Sequence, residues 1–319
     1  MTLPPEFALI ARHFRPLAGA GALDLSDDAA LLDPPLDRQL VLAADAMVAG
    51  VHFLTDDPPD TIGRKLLRVN LSDLAAMGAR PLGYLMTCAF PRGTGEEWIA
   101  AFARGLAEDQ REHRLSVLGG DTVSTTGPAT FSLTILGTVA PGAALQRRGA
   151  RPGDEVWVSG TIGDGALGLL TLTGKLPPDD YLARRYRLPE PRLALGAGLA
   201  GVARAVMDVS DGLAQDLGHL ARAAGCAAVI DADSVPLSAP VRRALHGNPA
   251  LRVGVLTGRD DSELLIAADP ADAPRLRAAA EAAGTPVTRI GRFIQGEGVT
   301  VLDGSGAVIA LPQAGWSHF

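Results

Sequence analysis

The sequence predicts a mixed α/β (α+β) chain of two domains. Its 319 residues are long for a single domain. Hydrophobic residues make up 47%, enough to build a sizeable core. Amphipathic helix-length runs alternate with short apolar runs, and one Gly-, Pro- and Arg-rich stretch, "PGAALQRRGARPGD", interrupts them. The boundaries drawn from this pattern are an N-terminal domain over residues 1–140, a linker over 141–154, and a C-terminal α/β domain over 155–319.

Taken in order, "PPEFALIARHF" reads as a short opening helix and "RQLVLAADAM" as a strand running into a polar turn. Residues 59 to 77 form a helical stretch that carries Asn70 and Asp73 three residues apart, hence on one side of a helix. Gly78 and Pro81 break it, and "PLGYLMTCAF" follows as a strand. "GEEWIAAFARGLAEDQREH" is an amphipathic helix, and "LSVLGG" and "ATFSLTILGTVA" are strands. Beyond the linker come strand "EVWVSG", a helix over 164 to 173, strand "ARAVMDVS", helix "DGLAQDLGHLARAAG" and strand "AAVIDA".

The net charge of −7 argues against a general nucleic-acid binder, which would show a basic face. Lys65 and Lys175 are the two lysines among 29 basic residues, which limits mechanisms that need lysine. Cys88 and Cys226 lie in apolar runs without CxxC spacing and read as buried free thiols of a reducing compartment. The N-terminal residues have no basic region followed by an apolar stretch, and no apolar run is of membrane-spanning length. The expectation is a cytoplasmic protein without membrane contact.

Aspartates recur at predicted strand ends and helix starts: Asp27 and Asp28, Asp45, Asp73, Asp121, Asp208 and Asp211. A lone aspartate in such a place is ordinarily an N-cap or turn residue. Six instances, several joined to glycine, point beyond capping. Two carboxylates about 4 Å apart repel by roughly 4 kcal/mol at an effective dielectric near 20, so converging aspartates need cations. All-oxygen ligands suit Mg²⁺, and Mg²⁺ points to phosphates.

The common phosphate and nucleophile motifs are missing. Leu169 and Leu176 stand where a P-loop needs glycine and Ser/Thr around Gly174-Lys175. "GDGALG" matches GxGxxG after a strand, but the proline-rich "KLPPDDYLARRYRLPEP" follows instead of a second strand, so it reads as a tight strand-to-helix turn. There is no GxSxG elbow and no HExxH. His219 reads as a core histidine of an apolar helix; His52, just past Asp45, is a possible site residue.

As a set, "VNLSDLAAMGA", "LGGDT", "DVSDGLAQDLGH", "AGVHF" and the terminal "GWSHF" resemble the thiamine-monophosphate kinase family of the aminoimidazole ribonucleotide synthetase-like superfamily. The resemblance spans essentially the whole chain. It implies a two-domain subunit and a homodimer in which N-terminal, ATP- and Mg²⁺-binding domains pair into a shared β-barrel. It implies ATP as co-substrate, several Mg²⁺ ions, and direct transfer of the γ-phosphoryl group to thiamine monophosphate, giving thiamine diphosphate.

By the same resemblance, Asp28, Asp45, Asp73, Asp121, Asp208 and Asp211 match Mg²⁺ ligands, and Gly120 with Asp121 a nucleotide-contacting turn. Arg147 matches an arginine that reaches ATP phosphate, and Ser210 a nucleotide contact. His52, Asp260 and Trp316 match substrate-side positions, Trp316 offering a flat face to a cationic thiazolium. Asp73, Asp121 and Arg147 are the residues expected to act on the transferring group. The likeness agrees with the chemistry, since phosphoryl transfer needs positioning and charge neutralisation more than covalent help.

Three stretches depart from the family pattern. "LDLSDD" puts Asp24 and Ser26 where glycines are usual, positions that reach φ > 0 only at a cost. "AADA" puts Ala43 and Ala44 in place of hydroxyl-bearing residues. "GRDDSEL" puts Arg259 for a glycine, Asp260 for a glutamate and Ser262 for a tyrosine. These departures leave two other readings open: a relative that binds nucleotide or thiamine phosphate without efficient transfer, and a superfamily enzyme acting on another ATP-dependent substrate.

Overall fold

A computed structural model describes residues 5–33 and 35–317. The chain divides into two compact units, one of Met1–Leu74 with Arg80–Pro141, the other of Ala75–Ala79 with Gly142–Phe319. His318 and Phe319 of the predicted "GWSHF" signature lie outside the described residues. Among the described residues no helix is long and apolar enough to cross a membrane.

The first unit opens with α1 (Pro5–Leu9), which continues as irregular helical turns to Leu17. It is followed by β1 (Gln39–Val48), α2 (Pro59–Ala76), β2 (Arg80–Pro91), α3 (Glu96–His113), β3 (Val117–Thr125) and β4 (Thr130–Val139). The four strands form one sheet in the order β1-β4-β2-β3. β1 and β2 flank β4 antiparallel, while β3 runs parallel to β2 after the α3 crossover. β1 and β3 are therefore the two edges.

Alternation along the strands sorts the faces. Val41, Met47, Tyr84, Met86, Cys88, Phe90, Phe131, Leu133 and Ile135 are buried. Phe90, Phe102 and Phe131 pack ring on ring there, which places α3 over this face. Gly63 and Gly105 let α2 and α3 approach closely, since a Cβ at either would run into the backbone of the other helix. The opposite face carries Leu40, Leu42, Leu85 and Val123, all exposed.

Buried charges lock the helix pair. Arg68 on α2 donates through Nε to Asp109 of α3 at 2.6 Å, and Arg64 through its Nε to the same carboxylate at 2.8 Å. The 3.6-residue spacing of Ile62, Leu66, Leu67, Leu71 and Leu74 drives α2 onto the sheet.

The second unit contains β5 (Glu155–Ser159), α4 (Asp164–Leu172), α5 (Asp180–Arg187), α6 (Leu193–Gly198), β6 (Ala205–Val209) and α7 (Leu213–Ala224). It continues with β7 (Ala227–Asp231), α8 (Ala239–Gly247), α9 (Leu251–Thr257), β8 (Glu263–Ala268), α10 (Ala273–Ala282), β9 (Val287–Ile294) and β10 (Gly298–Leu302). Its six-stranded sheet has the order β10-β7-β9-β5-β8-β6. One core packs Val156, Val158, Leu167, Leu213, Leu217 and Leu220. A second packs Trp157, Val206, Leu264, Ile266, Leu195 and Leu276 together with Ala75 and Ala76. Alternate strand residues feed the two cores, so helices cover both faces. The stretch read as a linker is anchored in this unit: Leu145 and Ala150 are buried, and the Leu145 N–H donates to the Met77 carbonyl at 3.1 Å.

The structure corrects the placement of two aspartates. Asp45 is not in a turn after a strand; it lies within β1, opposite Leu133 of β4. Gly120 and Asp121 do not form a turn either; they lie within β3, opposite Met86 and Thr87 of β2. Small and polar residues suggested turns, but an edge strand needs only one ladder partner and tolerates them. Glycine at 120 is required by close strand approach, since a Cβ there would collide with the Met86 carbonyl.

Candidate active site

In the first unit, Asn70 and Asp73 sit on one side of α2, and that side meets β1. The Asp45 N–H donates to Asn70 Oδ1 at 3.2 Å, and Asn70 Nδ2 donates back to the Leu66 carbonyl at 2.9 Å. Asn70 is fully buried, while Asp45 and Asp73 are half-buried. His52 lies in the turn after β1. Its Nδ1 accepts from the Val48 N–H at 3.0 Å, which leaves the ring proton on Nε2 when the histidine is neutral. Lys65, buried on α2, donates through Nζ to the His52 carbonyl at 2.9 Å. Asp28 lies in the exposed loop before β1, accompanied by Asp27, whose carboxylate accepts the Asp28 N–H at 3.1 Å.

Asp121 is placed apart from Asp45. Sheet order separates β1 from β3 by two strands, so the two lie three inter-strand steps apart, about 14 Å along the sheet. They also differ in face. Asp45 shares a row with buried Leu133 and Met86, and Asp121 a row with Thr87, Ser132 and Ala46 on the uncovered side. Among the described residues, three metal-type donor atoms fall within 4.8 Å of one another at Asp109, Glu112 and His113. None of the six predicted aspartates belongs to that group, and Arg64 and Arg68 pair with Asp109 and Glu112.

In the second unit the β6–α7 turn is the organiser. Asp208, the penultimate residue of β6, is buried, and Asp216 in the first turn of α7 accepts the N–H groups of Ser210, Asp211 and Gly212 at 2.9, 3.0 and 3.1 Å. Two carbonyls of this turn then hold two of the residues expected on the substrate side. Ser210 O accepts from the Asp260 N–H at 3.1 Å, and Asp211 O from the Trp316 N–H at 2.9 Å. Gln215 Nε2 donates to the Trp316 carbonyl at 2.7 Å. Gly315 is needed beside Trp316, because a Cβ there would meet Asp211 O and the Gln215 side chain.

Trp316 is 41% exposed, and one ring face already holds a cation. The Arg259 guanidinium carbon stands 4.3 Å from the ring centroid. The ring also borders a groove of about 1390 Å³ lined by Asp211, Gln215, His219 and Arg222. His219 is thus not a core residue but a groove wall, hydrogen-bonded to Arg222 at 3.2 Å. Partial burial first, then the charges of Arg222 and Arg147, push its pKa down. Exposed Arg147 is placed beside β6 by Gln146, whose carbonyl accepts the Val206 N–H at 2.9 Å.

The "GDGALG" turn is closed to phosphate by the chain itself. Gly163 and Gly165 donate their N–H groups to the buried Asp261 carboxylate at 2.8 and 3.0 Å. That carboxylate occupies the position an anionic ligand would take at the start of α4.

Asp216 and Asp261 are not among the predicted site residues. Asp216 lies inside the quoted "DVSDGLAQDLGH", and an acid in the first turn after a Gly-containing turn is a readable capping signal. Asp261 gives no such signal. Its partners are 96 and 98 residues away.

The donor set suits Mg²⁺. Burial and the neighbouring Asp208 charge raise the Asp216 pKa to about 7, so this corner holds more negative charge than its surroundings stabilise. Carboxylate and carbonyl oxygens are the donors on hand, as a hard divalent cation requires.

The AIR synthase related protein N-terminal domain model matches residues 26–139, and the corresponding C-terminal domain model residues 151–304. The chain belongs to the AIR synthase related family. Among the relatives of this family member, the thiamine-monophosphate kinase of Caulobacter vibrioides is 46% identical over 321 residues, covering 99% of this chain and 91% of its own. The crystal structure of thiamine-monophosphate kinase from Stenotrophomonas maltophilia is 42% identical with a TM-score of 0.81, over 89% of this chain and 90% of that one. AaThiL complexed with AMPPCP and TMP is 29% identical with a TM-score of 0.77, over 92% and 91%.

Proposed function

We propose that this chain transfers the γ-phosphoryl group of ATP to the phosphate of thiamine monophosphate, giving thiamine diphosphate, as a cytoplasmic homodimer. The observation that carries the reading most is the β6–α7 turn. The residues matched to metal and nucleotide, Ser210 and Asp211, hold by their own carbonyls the residues matched to the acceptor, Asp260 and Trp316. The likeness to a protein solved with an ATP analogue and TMP supports the same chemistry.

Asp28, Asp45, Asp73, Asp121, Asp208 and Asp211 would hold Mg²⁺. Bound there, Mg²⁺ neutralises the charge that spreads over the transferring phosphoryl group. Asn70 orients the Asp45 backbone, and Asp216 shapes the Ser210–Gly212 turn. Arg147, beside β6, supplies a planar guanidinium that can take two phosphate oxygens at once. His52 and Asp260 orient the acceptor. No general base is required, because the attacking phosphate oxygen is already anionic at neutral pH. Fixing donor and acceptor in line is then most of the work.

The homodimer reading rests on the four-stranded sheet. Its edges, β1 and β3, carry Asp45 and Asp121 apart within one chain, and its uncovered face exposes Leu40, Leu42, Leu85 and Val123. Two such sheets joined edge to edge close an eight-stranded barrel with Leu40, Leu42, Leu85 and Val123 inside. They also bring β1 of one copy beside β3 of the other.

The test follows γ-labelled ATP with thiamine monophosphate and Mg²⁺. Label is expected in thiamine diphosphate and is expected to vanish in Asp73→Asn and Asp121→Asn. Nucleotide binding without labelled product would overturn the kinase reading in favour of a binding role or another acceptor.

A further inference from the structure

We propose that Arg259 sets the affinity of this protein for its acceptor by competing for the face of Trp316. The inference rests on the proposed function in one respect: that the cationic ring of the acceptor stacks on this tryptophan.

The arrangement is built rather than incidental. Trp316 is held by the Asp211 carbonyl and by Gln215, and Asp260 by the Ser210 carbonyl, so one turn fixes both the ring and the residue next to Arg259. Asp260 adopts a left-handed backbone, φ 74°, which an aspartate tolerates better than most residues. Its Oδ2 lies 3.4 Å from Arg259 Nε. The guanidinium is thereby gripped between a carboxylate and an aromatic face, 4.3 Å from the ring centroid. The Arg259 side chain is only 12% exposed, and a cation–π contact is stronger where water is excluded.

A thiazolium and a guanidinium are both positive, and both are drawn to the negative π faces of an indole. A thiazolium on the Trp316 face that Arg259 covers would therefore have to compete with that guanidinium. They repel when brought within a few ångströms, so the face holds one or the other. Glycine, the residue that the resemblance leads one to expect at this position, would leave the face open. Arg259 closes it with a cation belonging to the protein. The acceptor must displace that cation, and part of its own stacking energy is used in doing so. Arg259 therefore weakens acceptor binding and disfavours ligands without a competing positive ring.

Calorimetric titration of thiamine monophosphate into the wild-type protein, Arg259→Ala and Arg259→Lys tests this. Arg259→Ala is expected to tighten binding by about three- to tenfold, the range of one cation–π contact. Arg259→Lys, which keeps the positive charge and guards against a folding artefact, is expected to stay close to wild type. In a Trp316→Leu background the Arg259→Ala gain should disappear. Unchanged or weaker binding in Arg259→Ala overturns the proposal, since it means that the guanidinium assists the acceptor or that the acceptor sits elsewhere. So does a gain that survives in Trp316→Leu, or no binding by any of the proteins. Tightened binding without transfer of label would overturn the kinase reading alone, and transfer with unchanged affinity would overturn this one alone.

Discussion

Asn70 Oδ1 accepts the Asp45 backbone N–H at 3.2 Å, tying the helix that carries Asp73 to the edge strand that carries Asp45. Alternate N–H groups of an edge strand have no ladder partner, and Asn70 supplies one from inside the unit. Replacing Asn70 by alanine leaves a buried donor unsatisfied, which costs about 1–3 kcal/mol. Asn70→Ala is expected to lose that much stability in urea denaturation. It should also raise the Mg²⁺ concentration for half-maximal activity several-fold, with a smaller change in the KM for thiamine monophosphate. An unchanged Mg²⁺ requirement would mean that Asn70 serves packing only.

Lys65 presents a parallel case on the same helix. Its Nζ donates to the His52 carbonyl, while Val48 fixes the His52 ring. A charged hydrogen bond of this kind contributes about 1.5–3 kcal/mol. Lys65→Met should keep the packing volume, lose stability in that range, and raise the acceptor KM while leaving the KM for ATP near wild type. Equal rises in both would show that the turn does not act on the acceptor alone.

Much of this was legible in the sequence. The 3.6-residue spacing of Leu66, Leu67, Leu71 and Leu74 specifies α2, and alternation specifies β2 and β4, because burial of one face imposes those periods. Asp45 and Asp121 were legible as residues but not as places. "AADA" and "LGGD" have turn composition, and only sheet order reveals that they lie on opposite edges. The Asp261 contacts to Gly163 and Gly165 and the Arg259 stack on Trp316 were not legible at all. They join residues far apart in sequence, and no local pattern encodes which loop ends meet.

The loop before β1 bears on what a missing glycine does. Leu23, Asp24 and Leu25 have φ of 49°, 57° and 52°, so the backbone is left-handed at three positions none of which is glycine. Each such residue is strained by roughly 1–2 kcal/mol, less for aspartate. Asp24 is exposed, and its carbonyl, not its side chain, accepts from Arg15 Nε at 2.9 Å. Asp24→Gly is therefore expected to be neutral or stabilising by up to about 1 kcal/mol in thermal melts. A clear loss would mean that the side chain has a role the backbone geometry does not require.

Leu42 is 62% exposed on the uncovered face of the first sheet. If two copies close a barrel over this face, Leu42→Arg places a charge in its interior. The expected result by light scattering is a dimer for the wild type and a monomer for Leu42→Arg, with secondary structure retained. A monomeric wild type at micromolar concentration would remove the dimer from the proposal and leave the exposed leucines to be explained otherwise.

Asp261 predicts how stability depends on pH. Burial first, and then the charge of Asp164, raise its pKa to about 8, against the opposing pull of the Gly163 and Gly165 N–H groups and of Arg185. An aspartate in the unfolded chain titrates near 3.9. The folded state therefore binds this proton more tightly than the unfolded state does. The stability Asp261 contributes is complete below about pH 4 and is lost as pH rises to about 8. Asp261→Asn cannot titrate, so it isolates the effect from the other carboxylates. The wild type minus variant difference in unfolding free energy, measured in urea at pH 5, 6.5 and 8, should fall steadily across the series. A flat difference would mean that Asp261 is already ionised at pH 5. In that case the two glycine N–H groups outweigh the burial of its charge.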